Sequence, residues 1–416
     1  MSILRRPPHV PPLSILLIAL GLGAHGSALA APPTTFTAGA AKDGDLFGVA
    51  VDIAGGLVAV GAPSTDRERD DMGVVHLFDV GSGDPAQLTT LAPADGELGA
   101  SFGSSVAIGD GVVLVGAPGV VLSQLNEGVA YLFEREANDW VEVARIRRQA
   151  PGRNDMAGSA VAVQGSVAVV GAPGADAAGT DSGLALVYER DEDGWVRTAS
   201  LTPEGAAEGA RFGSAVAVDG DRILVGASGD VPAGEDPGRA FVFERDGDGW
   251  RQLAVLTPAD GGGGDGFGDA VALDGDRALV GARFADLSGS DEGAAYLFRH
   301  QSDGWTEVGR LTAPEPADRD QFGHAVALGN DAALVGAPRV DEPGRDSGAI
   351  WAFSPGNGGW DDPRRLSPAA PDAYDEFGSA VAAEGDAAIV GAPQDIPKDA
   401  TGETVTGTAT LFRGAR

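Results

Sequence analysis

Phe322-Gly-His-Ala-Val-Ala-Leu-Gly-Asn-Asp-Ala-Ala-Leu-Val-Gly-Ala-Pro338 is one of seven near-copies of a single stretch. Phe47, Phe102, Phe212, Phe267, Phe322 and Phe377 open six of them, and Ala157 occupies the remaining Phe position. Each opener follows the last by 55 residues. The second half keeps step at Gly61, Gly116, Gly171, Gly226, Gly281, Gly336 and Gly391. Seven units at one fixed period specify a repeat architecture before any local reading is made.

The unit from Phe267 to Pro314 reads as four antiparallel strands, A to D. Gly268–Leu273 alternates and is rich in small residues, and Asp274-Gly275-Asp276 is a hairpin turn. Arg277–Ala282 is the second strand, Gly293–Phe298 the third and Trp305–Leu311 the fourth. Val51, Val106, Val161, Val216, Val271, Val326 and Val381 hold one place on strand A, and their neighbours are mostly Ala, with Ser105 and Asp52 as exceptions. Small side chains suit the crowded inner end of a radial array. His76, Tyr131, Leu186, Phe241, Tyr296 and Trp351 hold a bulky place on strand C, where the wedge between sheets widens. Trp140, Trp195, Trp250, Trp305 and Trp360 punctuate strand D as packing residues. The expected fold is all-β: a seven-bladed β-propeller of four-stranded antiparallel blades.

The ends complete the argument. The unit opened by Phe377 has room for strands A, B and C only, since Arg413–Arg416 is too short for a fourth. Thr34–Ala38 precedes the first unit, and Phe36 falls in the place of Leu91, Ile146, Leu201, Leu256, Leu311 and Leu366, the last apolar residue of each strand D. The N-terminal strand is therefore expected to join the last blade and cover its edge. The domain reading is a leader over 1–30 and one propeller over 31–416.

Arg5 and Arg6, the apolar run Leu13–Leu22 and Ala28-Leu29-Ala30 form a secretory signal pattern, too short to span a bilayer. Cleavage after Ala30 and a secreted or periplasmic location are expected. Cysteine is absent, which excludes disulfides, thiolate metal sites and a cysteine nucleophile. A net charge of -32 argues against nucleic acid and anionic membrane surfaces and favours cations or basic partners.

Phe322-Gly323, Val335-Gly-Ala-Pro338 and Gly348-Ala-Ile-Trp-Ala-Phe353, with their parallels in every unit, resemble the FG-GAP repeat of integrin α-subunit propellers and of secreted bacterial proteins. The resemblance covers essentially all of 31–416 and is closest to the bacterial branch. It implies a seven-bladed propeller outside the cytoplasm, used for binding or adhesion. It does not carry over the calcium loops of integrin blades. The A–B turns here, such as Ala54-Gly-Gly56, Asp219-Gly-Asp221 and Asp274-Gly-Asp276, lack the roughly six to eight oxygens a calcium cage needs. The integrin stalk domains are also missing, so a heterodimeric receptor role is not implied.

Three histidines follow the leader: His76, expected to be packed, His300, expected to be exposed, and His324. Asp269, His324 and Ser379 occupy one place on successive blades and have the residue types of a hydrolase triad. Rotationally related positions point the same way round a ring, and packed sheets stand about 10 Å apart, so the three should not meet. Two acidic series are more regular. Asp45, Asp155, Asp265, Asp320 and Asp375 lie two residues before the Phe position. Asp71, Asp181, Asp236, Asp291 and Asp346 lie two residues before the Gly of strand C, with Asn126 in the second unit. Their plain role is to accept backbone N–H bonds in loop turns. Their sharper role is a cation site or binding face.

The B–C and D–A loops are long and emerge at one end, the expected working face. Asp291 and Asp320 are the metal candidates there, for a weakly held calcium ion, and Arg283 and Arg319 nearby favour a basic-partner reading instead. No cofactor is required. The leading expectation is a monomeric, non-catalytic binding, adhesion or scaffold protein whose partner is an extracellular or envelope protein or a glycan, with no nucleic acid and no membrane span. The rivals are a hydrolase or lyase on the same face, or a structural subunit of an envelope assembly. Ser228 and Arg283 replace the Pro of Gly-Ala-Pro in adjacent units and hint at a site there, and the loop Gln394–Thr406 is the other local irregularity.

Overall fold

Strand A is built from small residues, strand B from continuous apolar ones and strand D from alternating ones, and each finds a different neighbourhood in the structure. The computed structural model describes residues 32–39, 44–65, 72–81, 85–94, 100–137, 139–229, 236–329, 332–355, 360–393 and 406–414. A short strand, β1 (Thr34–Phe36), comes first. Blade one is β2 (Val51–Ala54), β3 (Leu57–Ala62), β4 (Val74–Asp79) and β5 (Ala86–Leu91). Blade two is β6 (Ser105–Gly109), β7 (Val112–Ala117), β8 (Val129–Glu136) and β9 (Asp139–Ile146). Blade three is β10 (Ala160–Gln164), β11 (Val167–Ala172), β12 (Leu184–Asp191) and β13 (Gly194–Leu201). Blade four is β14 (Phe212–Asp219), β15 (Arg222–Ala227), β16 (Arg239–Asp246) and β17 (Gly249–Leu256). Blade five is β18 (Ala270–Asp274), β19 (Arg277–Ala282), β20 (Ala294–Gln301) and β21 (Gly304–Leu311). Blade six is β22 (Ala325–Gly329), β23 (Ala332–Ala337), β24 (Ala349–Pro355) and β25 (Trp360–Leu366). Blade seven holds β26 (Ala380–Glu384), β27 (Ala387–Ala392) and β28 (Thr408–Arg413).

Each blade is a four-stranded sheet in chain order, and the seventh runs β1-β28-β27-β26. All its pairings are antiparallel, with Phe36 opposite Ala409, as Leu311 is opposite Ala295 in blade five. The sequence thus placed Phe36 in the correct register. The inner strands close a cycle in which β2 packs beside β6, β6 beside β10, β10 beside β14, β14 beside β18, β18 beside β22, β22 beside β26 and β26 beside β2. The fold is therefore a seven-bladed propeller closed by its N-terminal strand.

The core is divided among the wedges between blades. Val112–Ala117 is buried at every residue because strand B has a strand on either side and a blade on either face. Asp139–Ile146 alternates exposed and half-buried residues because strand D lies at the rim. One wedge joins Leu77 and Phe102 with Val115 and Tyr131 of the next blade, and the last joins Phe36, Ile389 and Leu411 with Val58 and Phe78 of the first. The six Phe openers are fully buried, and Phe102 meets Tyr131 and Phe133 with ring centroids 5.5 and 6.0 Å apart in edge-on contacts. Such contacts add about 0.5–1.5 kcal/mol beyond area burial. Trp195 donates to Glu134 at 2.8 Å and packs against the wedge between blades two and three, as a packing tryptophan should. His300 is half-buried rather than exposed, because β20 runs on to Gln301 and sets the imidazole over Trp305 at 5.3 Å.

The recurrent Gly of Gly-Ala-Pro marks the closest approach of neighbouring blades. A Cβ on Gly116 would overlap the carbonyl oxygen of Gly158, and the same holds from Gly61 to Gly103 and from Gly391 back to Gly48. Only glycine leaves room for backbone to touch backbone there. Among the described residues no helix is long and apolar enough to cross a membrane.

Candidate functional site

The B–C and D–A loops share one end of the propeller, as antiparallel topology requires, and they are sewn together across blade boundaries. The N–H of six of the seven Phe-position residues donates to the loop of the preceding blade: Phe102 to the Met72 carbonyl, Ala157 to Glu127, Phe212 to Ser182, Phe267 to Pro237, Phe322 to Glu292 and Phe377 to Ser347. The first acidic series braces these loops from within. Asp155, Asp265, Asp320 and Asp375 accept the N–H three residues upstream, from Gly152, Gly262, Ala317 and Asp372, at 2.6–2.9 Å. Asp155 also pairs with Arg148 at 3.0 Å. Asp45, Asp155, Asp265 and Asp320 are buried, and Asp375 is half-buried. Burial pushes the carboxyls of Asp320 and Asp375 up to about 6 and raises that of Asp265.

The second series serves the backbone differently. Asp181, Asp291, Asp346 and Asn126 sit at φ of 49°, 54°, 48° and 51°, in the left-handed region that Asp and Asn tolerate best after glycine. The N–H groups of Asp181, Asp291 and Asp346 donate to Asp176, Asp286 and Asp341, and their carbonyls accept from the next blade. Asp236 departs from this pattern, accepting the Gly238 N–H and pairing with Arg239 at 2.8 Å. Asp71 lies outside the described residues. Asp291 and Asp320 are neighbours in the belt, since Gln321 N–H donates to the Asp291 carbonyl. No group of three His, Cys, Asp or Glu side chains is placed to hold a metal ion among the described residues.

Two loop carboxylates were not singled out from the sequence. Glu127 and Glu292 are buried, and each collects several loop donors: Ser123 and Gln124 for the former, and Leu287, Ser288 and Gly289 for the latter. Those bonds hold the Glu292 carboxyl below its ordinary range. The signal was available, since each directly precedes the Gly of strand C, but it occurs in only two units.

Immediately before the Phe position the backbone turns left-handed in every blade. Leu46, Ser101, Met156, Arg211, Gln321 and Glu376 have φ between 51° and 57°, and Gly266 has 70°. Each carbonyl accepts the N–H three residues on. This conformation costs roughly 1–2 kcal/mol for a non-glycine residue, so the surrounding turn imposes it. Met156, Arg211 and Gly266 come from successive blades and line one recess of about 400 Å³ with Ser228, Asp269 and Arg283. The two breaks in Gly-Ala-Pro therefore do meet in one place.

That recess also settles the triad-like set. Arg283 Nε stands 2.7 Å from Asp269 Oδ2, an ion pair too poorly aligned for a good hydrogen bond, and Arg283 Nη1 stands 3.2 Å from His324 Nδ1. The guanidinium thus takes the place between carboxylate and imidazole where a triad needs a direct bond. Burial, with Arg283 and Arg339 nearby, pushes the His324 imidazole down to about 4, so it is neutral and accepts from Arg283. Ser379 donates to the Glu376 carbonyl at 2.8 Å. The three do not form a nucleophilic relay.

The opposite end, at the A–B turns, holds a larger cavity of about 760 Å³ lined by Asp52, Ile108, Val163, Gln164, Ala383 and Glu384 among others. Asp52 accepts the N–H of Ile53 at 2.8 Å and that of Ile108, on the next blade, at 2.6 Å. Glu384 accepts from Gly55, Gln164 Oε1 from Gly220 and Asp219 from Gly275, each across a blade boundary. These side chains fasten neighbouring turns.

The family model for the FG-GAP repeat matches the chain seven times, at 34–78, 86–133, 140–188, 195–243, 250–298, 305–353 and 360–409. Among curated protein sequences none matches the chain. A solved structure of Sqt1 from Saccharomyces cerevisiae aligns at 10% identity over 92% of this chain and 98% of its own, with a TM-score of 0.44.

Proposed function

The chain belongs to the FG-GAP repeat family, and from that membership we propose that it is a non-catalytic binding or scaffold protein, exported from the cytoplasm, that works through its loop face. One observation carries the reading. The residue before the Phe position has the same left-handed backbone in all seven blades, yet Leu46, Ser101, Met156, Arg211, Gly266, Gln321 and Glu376 are seven different side chains. A constant frame presenting unlike side chains is what recognition needs, whereas packing positions such as the six buried Phe repeat one residue. The partner on this reading is an extracellular or envelope protein or a glycan.

The test compares the two ends. Gln321→Arg with Glu376→Arg alters the loop face, and Asp193→Arg with Asp248→Arg alters the exposed C–D turns. Retention of the protein on envelope material should fall for the first pair and not for the second; the reverse result would sink the assignment. Export is checked separately by mass spectrometry, with Ala31 expected as the N-terminus. The cation version, in which Asp291 and Asp320 hold calcium weakly, requires calcium heat that Asp320→Asn removes. Acids that only cap turns should change melting and give no heat.

A further inference from the structure

The loop-face mouth is uneven, and its irregularities coincide over blades three to five. Gly266 has no side chain where the other six blades have one. Ser228 and Arg283 stand where five blades have Pro. Arg211 is exposed, and its guanidinium has no hydrogen-bond or ion-pair partner among the described residues. The remaining charges of the recess cancel in pairs, Arg283 with Asp269 and Arg239 with Asp236, and His324 is neutral. The lining thus holds two arginines and two aspartates, and among the described residues Arg211 is its one charged side chain without a partner.

We propose that this recess binds a carboxylate borne on a hydroxyl-rich ring, the uronic acid residue of an acidic glycan. The inference rests on the loop face being the working surface. Arg211 supplies a planar fork of donors for a carboxylate. Ser159 already donates to the Met156 carbonyl and Ser214 to the Gly268 carbonyl, so both hydroxyl oxygens are oriented as acceptors. Ser214 Oγ also accepts the Ser228 N–H at 3.4 Å, which leaves at least one lone pair on each oxygen for a sugar hydroxyl to donate to. Met156 and Phe284 give the recess apolar wall for the carbon face of a ring. A volume of about 400 Å³ accommodates one monosaccharide unit and leaves the rest of a chain outside.

Calorimetry with galacturonate trimers, mannuronate trimers, neutral galactose trimers and a penta-glutamate peptide tests this on the full chain. Two variants borrow residues that other blades already carry at the same left-handed position: Arg211→Met from blade three and Gly266→Gln from blade six. A Cβ on Gly266 would come within 3.1 Å of Asp269 Oδ2 and Phe284, so Gln there fills the recess. The expected result is binding of a uronate trimer but not of the neutral one, weakened about tenfold or more by Arg211→Met with an unchanged melting curve, and abolished by Gly266→Gln, whose melting temperature falls by no more than the few degrees that a left-handed non-glycine residue costs. Binding that ignores Arg211→Met, equal affinity for neutral trimers, binding of the peptide alone or no heat with any probe would overturn it. If all acidic probes fail while loop-face variants still release the protein from envelope material, the ligand assignment falls and the working face stands. If both fail, both readings fall.

Discussion

Six alanines and one aspartate hold the same place on the seven inner strands: Ala107, Ala162, Ala217, Ala272, Ala327, Ala382 and Asp52. Asp52 is half-buried in the lining of the cavity at the A–B turns, and burial pushes its carboxyl from 3.8 up to about 6, with Glu384 adding repulsion against the pull of its two N–H partners. A carboxyl raised in the fold favours the folded state while protonated. That contribution is full below about pH 4 and is lost as pH rises through about 6. Asp52→Asn should therefore melt with the wild type near pH 3.5 and be more stable by on the order of 1–3 kcal/mol above pH 7; a destabilised variant at high pH would mean that the two N–H bonds outweigh burial. Thermal melts across that range decide it. At this scale the sequence told part of the story. Asp52 was visible as an exception to alanine, but its reach to Ile108 was not, because the repeat gives the place of a residue and not the neighbour its side chain finds. The same limit applied to the two acidic series. Their spacing was plain, while the turning of Asp155, Asp265 and Asp320 into their own loops is a fact of three dimensions.

At the scale of elements, β1 is the smallest strand with the largest consequence. It covers the outer edge of β28, and Phe36 is 5% exposed with its ring 4.8 Å from Phe78 of the first blade. It thus completes blade seven and the wedge beside it. Phe36→Ala should cost about 3–5 kcal/mol, the usual range for a buried Phe, and deletion of 32–38 should add association through the exposed edge. Differential scanning calorimetry and light scattering read the two effects; an unchanged melt for both would remove β1 from the closure. Strand number, order and register were legible in the sequence because apolar alternation and turn residues recur in phase, so that each unit checks the others. The bulge that shifts every complete C–D pair, as between Leu132 and Phe133, was not legible. A bulge inserts a residue without changing composition.

At the scale of the whole molecule, Thr34 lies opposite Leu411 in an antiparallel pair, so the residues before β1 and after β28 leave the sheet at the same end. That end is where every other blade has its C–D turn. The break in the chain is then one missing turn among seven. Joining Gly414 to Pro32 through a short linker and opening the chain between Glu192 and Asp193, an exposed C–D turn, should yield a monomer that melts within a few degrees of the wild type, about 1 kcal/mol in stability. A permutant that aggregates would show the native opening to be privileged. Nothing in the repeat itself distinguishes the seven turns, which is why the sequence could identify the closure but not its equivalence to the rest. The pairing of Thr35 with Thr410 spans 375 residues. At about 5–20 residues per second on the ribosome, β1 is made roughly 20 to 75 s before its partner. During that interval the first blade can assemble, but the ring has no lock, and a chain that stops early presents an unpaired edge to whatever inspects nascent proteins. The propeller thereby reports its own completeness: only a chain translated to its final strand can hide its first.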